Sequence, residues 1–232
     1  MNNTAENNSK NSNDINENSK SLRKLSVVVS VYNEEKALRE FYKETNKILE
    51  QIRKSGWEHE LIFVNDGSSD NSLSILEELA KEDHDVKLIS FSRNFGHEAA
   101  MIAGIDHSTG DGIICMDADL QHPPECIPKI IEKFDAGYEV INMVRTKNES
   151  AGLIKNITSS GFYWLINHIS DVHFEPNASD FFAISRHVAQ VLKDNYREKV
   201  RFLRGYVQNV GFKKTNIEYE ARARVAGESK YS

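Results

Sequence analysis

Cysteine, proline and tryptophan are scarce in this 232-residue chain, at 2, 4 and 2 residues. Neither Cys115 nor Cys126 belongs to a Cys-x-x-Cys pair or to a Cys/His cluster with zinc spacing, so no disulfide framework and no structural zinc site are expected. Glycine and proline are too few for collagen, and 39% hydrophobic with 28% charged residues fits neither a coiled coil nor a multi-span membrane protein. No charged, apolar, small-residue leader opens the chain, and its apolar runs fall far short of the roughly 20 residues of a membrane helix. The reading is a cytosolic chain that does not itself cross a membrane. Repeats of solenoid period are also lacking. What remains is one α/β domain of ordinary size plus a tail.

The formal charge of -6 hides an asymmetry. Residues 197–232 hold 9 Lys and Arg against 4 Asp and Glu, a balance of +5, which leaves 20 against 31, or -11, elsewhere. An anionic partner is therefore expected at the C-terminal end. Phosphates or an anionic membrane surface fit it. A nucleic acid does not, given the acidic body and the absence of an aromatic-plus-basic repeat.

Residues 1–24 are rich in Asn and Ser, with Ala5, Ile15 and Leu22 the only apolar residues after the initiator, and read as a disordered tail. The domain is expected over 25–232. Leu25 to Val31 is an apolar, valine-rich run of the kind buried in a parallel sheet. A helix follows over 35–54, with Leu38, Phe41, Tyr42, Thr45, Ile48, Leu49 and Ile52 on one face. The alternation continues as strand 60–64, helix 72–81, strand 86–91, helix 98–107, strand 112–116, helix 124–135 and strand 138–144. Then come a helix over 153–169, a short strand 180–185, helices over 186–194 and 199–210, and strand 212–219. Strands alternating with helices predict a doubly wound, mostly parallel, Rossmann-like sheet.

In such sheets ligands bind beyond the carboxyl ends of the strands, so the loops there are the place to look for chemistry. No Gly-x-Gly-x-x-Gly follows the first strand and no Gly-x-x-x-x-Gly-Lys-[Ser/Thr] occurs, which counts against dinucleotide oxidoreductases and P-loop phosphotransferases. Four loops are polar: 32–35, 65–70, 92–97 and 117–124. In the last, Asp117 and Asp119 stand at i and i+2 directly after the apolar run 112–116, giving two hard oxygen ligands from one strand end. With Gln121 they form a half-shell for Mg2+ or Mn2+ whose open positions suit a diphosphate. The alternative is a pair of solvated loop aspartates. Asp66 could accept a base N–H and Glu34 ribose hydroxyls, although the stretch 65–68 also suits a turn before a capped helix. His97, His122 and His168 read as polar loop or helix residues with no assigned role.

Taken in order, stretches 25–34, 64–70, 92–104, 110–124, 179–182, 201–205 and 224–231 resemble family 2 glycosyltransferases of the polyprenyl-phosphate branch. That branch holds dolichol-phosphate mannose synthases, bactoprenol glucosyltransferases and the aminoarabinose undecaprenyl-phosphate transferase. The resemblance covers nearly everything after Lys24. Two departures are Ser30-Val31 where the family commonly has a Pro before Tyr-Asn-Glu, and Asn65-Asp66 where it often has Asp-Asp.

The resemblance implies a GT-A fold and inverting, metal-dependent transfer of a sugar from a nucleotide sugar to a polyprenyl phosphate. Tyr32, Glu34, Asp66, Arg93 and Asp117 would bind the nucleotide, and Asp117, Asp119 and Gln121 the metal, Mg2+ or Mn2+. Asp180 and Asp119 are the catalytic candidates. Arg145, Lys155, Arg204, Arg224, Ser229 and Lys230 would meet the acceptor and its phosphate. The stretch 92–100 is similar to the UDP-sugar members, which favours UDP over GDP. Helix 153–169, with Phe162, Tyr163 and Trp164, is either core or rests in a lipid headgroup zone at the cytoplasmic membrane face. The chain stops where many relatives continue into membrane helices, so a truncated sequence is expected. A GDP-mannose-dependent dolichol-phosphate enzyme, transfer to a sugar or protein acceptor, and a silent nucleotide-sugar-binding scaffold are the alternatives. A homo-oligomer is left open.

Overall fold

The computed structural model describes residues 23–146, 178–196, 198 and 202–222. The expected helix over 153–169 and the basic stretch 224–231 lie outside the described residues, as does nearly all of the expected tail. Arg23 and Lys24 are the exception. They open the first strand, which therefore starts two residues before the expected boundary.

Seven strands form one sheet in the order β3-β2-β1-β4-β6-β5-β7. They are β1 (Arg23–Val31), β2 (Trp57–Asn65), β3 (Val86–Ser90), β4 (Gly112–Asp117), β5 (Val140–Arg145), β6 (Ala178–Ser185) and β7 (Lys214–Tyr219). β1 to β4 are parallel, as are β5 and β7. β6 runs antiparallel between β4 and β5. Alternation of strand and helix could not reveal this reversal, because an apolar strand reads alike in either direction.

Helices α1 (Leu38–Lys54), α2 (Ser72–Glu82) and α4 (Ile127–Asp135) cover one face of the sheet. The other face carries α3 (His97–His107), α5 (Arg186–Asn195) and α6 (Leu203–Asn209). The two-residue period of the strands feeds both cores. Val27, Val29 and Val31 of β1 point to the first, and Val28 points to the second, all fully buried. Each such side chain contributes on the order of 1.5–3 kcal/mol by leaving water. On the second face α3 lies close to β1, where a Cβ on Gly104 would come within 2.1 Å of Val28 Cγ1. A short 3₁₀ turn, Pro124–Cys126, leads into α4.

This topology decides what gathers at one sheet edge. The carboxyl ends of β1 to β4 and the start of β6 share it, because β6 is reversed. The β4/β6 register runs to Cys115 opposite Phe182, which leaves Asp117 and Asp180 each two residues further along. Arg145, at the end of β5, pairs with Tyr219 of β7 at the same edge.

Candidate active site

The first three polar loops are stitched to one another. Asn33, with a left-handed φ of 56°, turns its Oδ1 to accept the Ser69 N–H at 2.7 Å and donates its own N–H to Ser68 Oγ at 2.9 Å. The Glu34 N–H donates to Ser72 Oγ at 2.8 Å, and the Glu35 N–H to Asp70. Gly67 has a φ of 65° and sits so close to the next loop that a Cβ there would meet the Arg93 carbonyl carbon at 2.3 Å. Only glycine fits such an approach with that φ.

Asp66 is fully buried, and its two oxygens accept the N–H groups of Phe95, at 2.7 Å, and Gly96, at 3.0 Å. It holds the loop between β3 and α3 in place. Tyr32 and Glu34 are half-buried at the same edge. Arg93 is exposed, its guanidinium 4.0 Å from the centre of the Phe95 ring and its Nη1 donating to the Asn94 carbonyl.

Asp117 ends β4 with its carboxylate one-third exposed. Its contacts are Ser30 Oγ at 3.4 Å, His97 Nδ1 at 3.5 Å and His122 Nδ1 at 3.8 Å from its carboxylate oxygens. No lysine or arginine pairs with it among the described residues. Ser30 Oγ is also 2.8 Å from His97 Nδ1. Asp119 is nearly buried, its Oδ1 accepting the Gln121 N–H at 3.0 Å, and Leu120 between them takes a φ of 63°. Two hard carboxylates at the sheet edge, one without a lysine or arginine partner among the described residues, fit a divalent Mg2+ or Mn2+.

Near the start of β6, Asp180 Oδ1 is 3.1 Å from Arg204 Nε. Glu98 accepts the Leu203 N–H at 3.0 Å. Burial pushes the Glu98 carboxyl up, that bond pulls it back, and the Asp180 charge raises it again. Cys115 is fully buried, and burial first, then Asp117 and Asp180, pushes its thiol up. Neither Cys115 nor Cys126 is disulfide-bonded.

The structure therefore gathers Tyr32, Glu34, Asp66, Arg93, Asp117, Asp119, Gln121, Arg145, Asp180 and Arg204 at the carboxyl edge. Lys155, Arg224, Ser229 and Lys230 lie outside the described residues. Arg222, the last described residue, bridges Glu44 of α1 and Glu125 of the 3₁₀ turn, both at 2.6 Å. This ties Arg222 to α1 and to the turn that follows the Asp117 loop. Ser30, His97 and His122 are participants the sequence reading left without a role. A histidine five residues after Asp117 was the one local signal.

A second set of ligand-type atoms lies at the opposite edge. Those of Glu50, His59 and Asp85 fall within 4.8 Å of one another. Arg53 already occupies it, hydrogen-bonded to Asp85 and 3.2 Å from His59 Nε2. That guanidinium accounts for the two carboxylates.

The family model described as glycosyl transferase family 2 matches residues 26–192. An uncharacterized glycosyltransferase, YkcC, of Bacillus subtilis is 44% identical over 206 residues, 89% of this chain and 62% of the relative. A prophage bactoprenol glucosyl transferase homolog of Escherichia coli is 42% identical over 209 residues, 90% of this chain and 67% of the relative. The chain thus spans about two thirds of the length of these relatives. Among solved structures, the mannosyltransferase PcManGT of Pyrobaculum calidifontis, in complex with GDP-Man and Mn2+, aligns with a TM-score of 0.59 at 15% identity. That alignment covers 86% of this chain and 56% of the neighbour. The fold is the GT-A fold that the resemblance implied, and the chain belongs to glycosyl transferase family 2.

Proposed function

We propose that this domain transfers a sugar from a nucleotide sugar, with UDP favoured over GDP, to a polyprenyl phosphate at a membrane surface, inverting the anomeric carbon. The observation that carries the proposal is the meeting of Asp117 and Asp119 with the Asp180–Arg204 pair at one sheet edge. Carboxylates suited to a metal and diphosphate there face a guanidinium suited to a second phosphate. The printed name of the Escherichia coli relative supports the lipid acceptor, and the Mn2+ of the mannosyltransferase complex supports a metal.

A phosphate, with a second pKa of about 6, is already an oxygen nucleophile near neutral pH, so no strong general base is required. The difficulty is bringing two anions together. Asp117, Asp119 and Gln121 would hold Mg2+ or Mn2+, which when bound offsets charge on the departing diphosphate. Tyr32, Glu34 and Arg93 would hold the nucleoside diphosphate. Asp66 would meet a base through the lone pairs left by its two backbone bonds. Arg204, oriented by Asp180, and Arg145 would receive the acceptor phosphate together with Lys155, Arg224, Ser229 and Lys230. Attack from the face opposite the diphosphate then inverts the sugar through an oxocarbenium-like state.

Calorimetric titration with UDP and GDP, each with Mn2+, Mg2+ or EDTA, tests this reading, followed by sugar transfer from a UDP-sugar to undecaprenyl phosphate. Metal-dependent UDP binding is expected. Preferred GDP binding would point to a mannosyl donor. Binding without transfer would leave a silent scaffold, and no binding of either by a folded sample would overturn the nucleotide-sugar reading.

A further inference from the structure

We infer that His122 is a positioning residue for the carboxylate pair Asp117 and Asp119: its Nδ1 closes the loop that carries them, and its ring locks that loop to the acceptor-side strands. The inference rests on the nucleotide-sugar reading for its consequence, and on hydrogen bonding and packing for its geometry.

The loop from Asp117 to His122 has to reverse direction within six residues while keeping two carboxylates at the edge. One internal bond comes from Asp119, which accepts the Gln121 N–H. Leu120 takes the left-handed φ that the reversal demands and is buried, a conformation uncommon outside glycine, Asn and Asp. The closing bond is longer in range. The backbone N–H of Asp117 donates to His122 Nδ1 at 3.0 Å. In that bond the Nδ1 lone pair is the acceptor.

The ring has little room to move. It is 6% exposed, stacks on Phe181 with centroids 4.9 Å apart and planes at 20°, and meets Tyr219 edge-on at 6.1 Å. Phe181 and Tyr219 pack on each other at 5.3 Å. Phe181 directly follows Asp180, and Tyr219 pairs in register with Arg145. One imidazole therefore touches the backbone of Asp117, a ring on the strand that presents Asp180, and a ring on β7 whose residue pairs with Arg145 of β5. Groups one step removed from a metal typically change its affinity about 10–100-fold when lost.

Two substitutions separate the acceptor from the ring. His122→Asn keeps an oxygen able to take the Asp117 N–H, as Asn side chains do in turns. His122→Phe keeps an aromatic plate and removes the acceptor. Three measurements are made on the whole chain: hydrogen exchange of the Asp117 amide by NMR, calorimetric UDP affinity with Mn2+, and melting temperature. The expected result is a protected Asp117 amide in the wild type and in H122N, with UDP affinity in H122N within about threefold of wild type. H122F is expected to melt within a few degrees of wild type, expose the Asp117 amide and weaken Mn2+-dependent UDP binding about 10–100-fold. H122F binding as tightly as wild type, or H122N binding as weakly as H122F, overturns the positioning role. If the wild type binds no UDP with Mn2+, the nucleotide-sugar reading and the metal half of this inference fail together. Unchanged exchange at Asp117 in H122F overturns the inference alone.

Discussion

The two edges of the sheet treat their carboxylates in opposite ways. At the amino edge, Glu60 of β2 is fully buried yet saturated: Ser26, Thr109 and Lys87 all donate to it, and Lys24 Nζ stands 3.1 Å away. At the carboxyl edge, Asp66 is spent on two backbone N–H groups, and Asp117 faces a serine and two histidines, with no lysine or arginine paired to it among the described residues. A buried charge that is paired and hydrogen-bonded serves the fold, whereas a part-exposed carboxylate with no lysine or arginine partner among the described residues is a place where a cation can be received. Under the proposed function, the difference separates stability from function along a single set of strands.

The largest expected effect is on the amino edge. Burial pushes the Glu60 carboxyl up, but Lys87, Ser26, Thr109 and Lys24 outweigh it and hold its pKa at about 2. Glu60→Gln removes the anion from between two lysines and is expected to cost about 3–5 kcal/mol, as when one partner of a buried pair is deleted. At this chain length that lowers the melting temperature by on the order of 10 °C. The folded-state value lies below the unfolded one of 4.5, so the contribution is complete above that pH and is lost as pH falls through about 2. The stability gap between wild type and E60Q is therefore expected to shrink by about 3 kcal/mol between those limits, measured by urea denaturation at stepped pH. UDP binding at neutral pH should be unchanged. A gap constant with pH would break the contrast from this side.

Next in size is Asp119→Asn at the carboxyl edge. The amide oxygen can still accept the Gln121 N–H, so the loop persists, but a metal loses one of its two anionic ligands. A fall of at least about 100-fold in Mn2+-dependent UDP affinity is expected by calorimetry, the upper end of what even outer groups cost. The melting temperature should stay within a few degrees of wild type. A stable D119N that binds UDP equally well with Mn2+ and with EDTA, at wild-type affinity, would sink the metal assignment.

How far these edges were legible in the sequence follows from the range of the interactions. The parallel strands β1 to β4, and the loops after them, announce themselves through local apolar runs and local polar clusters. Asp117 and Asp119 were legible because both sit on one strand end. The reversed β6 was not, since direction depends on a connection that lies outside any apolar pattern. Asp66 illustrates a different limit: its residue type suggests ligand recognition, while its partners, Phe95 and Gly96, stand 29 and 30 positions away. His97 lies 67 positions from Ser30, and only the fold brings them to 2.8 Å. Asp180 and Arg204 stand 24 positions apart and likewise meet only through the fold.

The smallest expected effect sharpens the comparison, because it concerns a histidine at the amino edge that differs from His122 at the carboxyl edge. His59 is almost wholly buried, with Nδ1 lacking a partner among the described residues, and burial first, then the Arg53 charge, pushes its pKa down. It is neutral in the fold near pH 7. Because its folded value lies below the ordinary 6.5, its neutral form supports folding above that pH, and the support is lost as acid charges the unfolded chain. Arg53→Ala removes a cation from beside it while leaving Asp85 and Glu50 in place. The His59 titration observed by NMR is then expected to move upward. Stability at pH 7 should fall by only about 0.2–1 kcal/mol, since Arg53 and its carboxylate partners are part-exposed and screened. An unchanged His59 titration in R53A would mean that burial alone, without the guanidinium, sets this histidine.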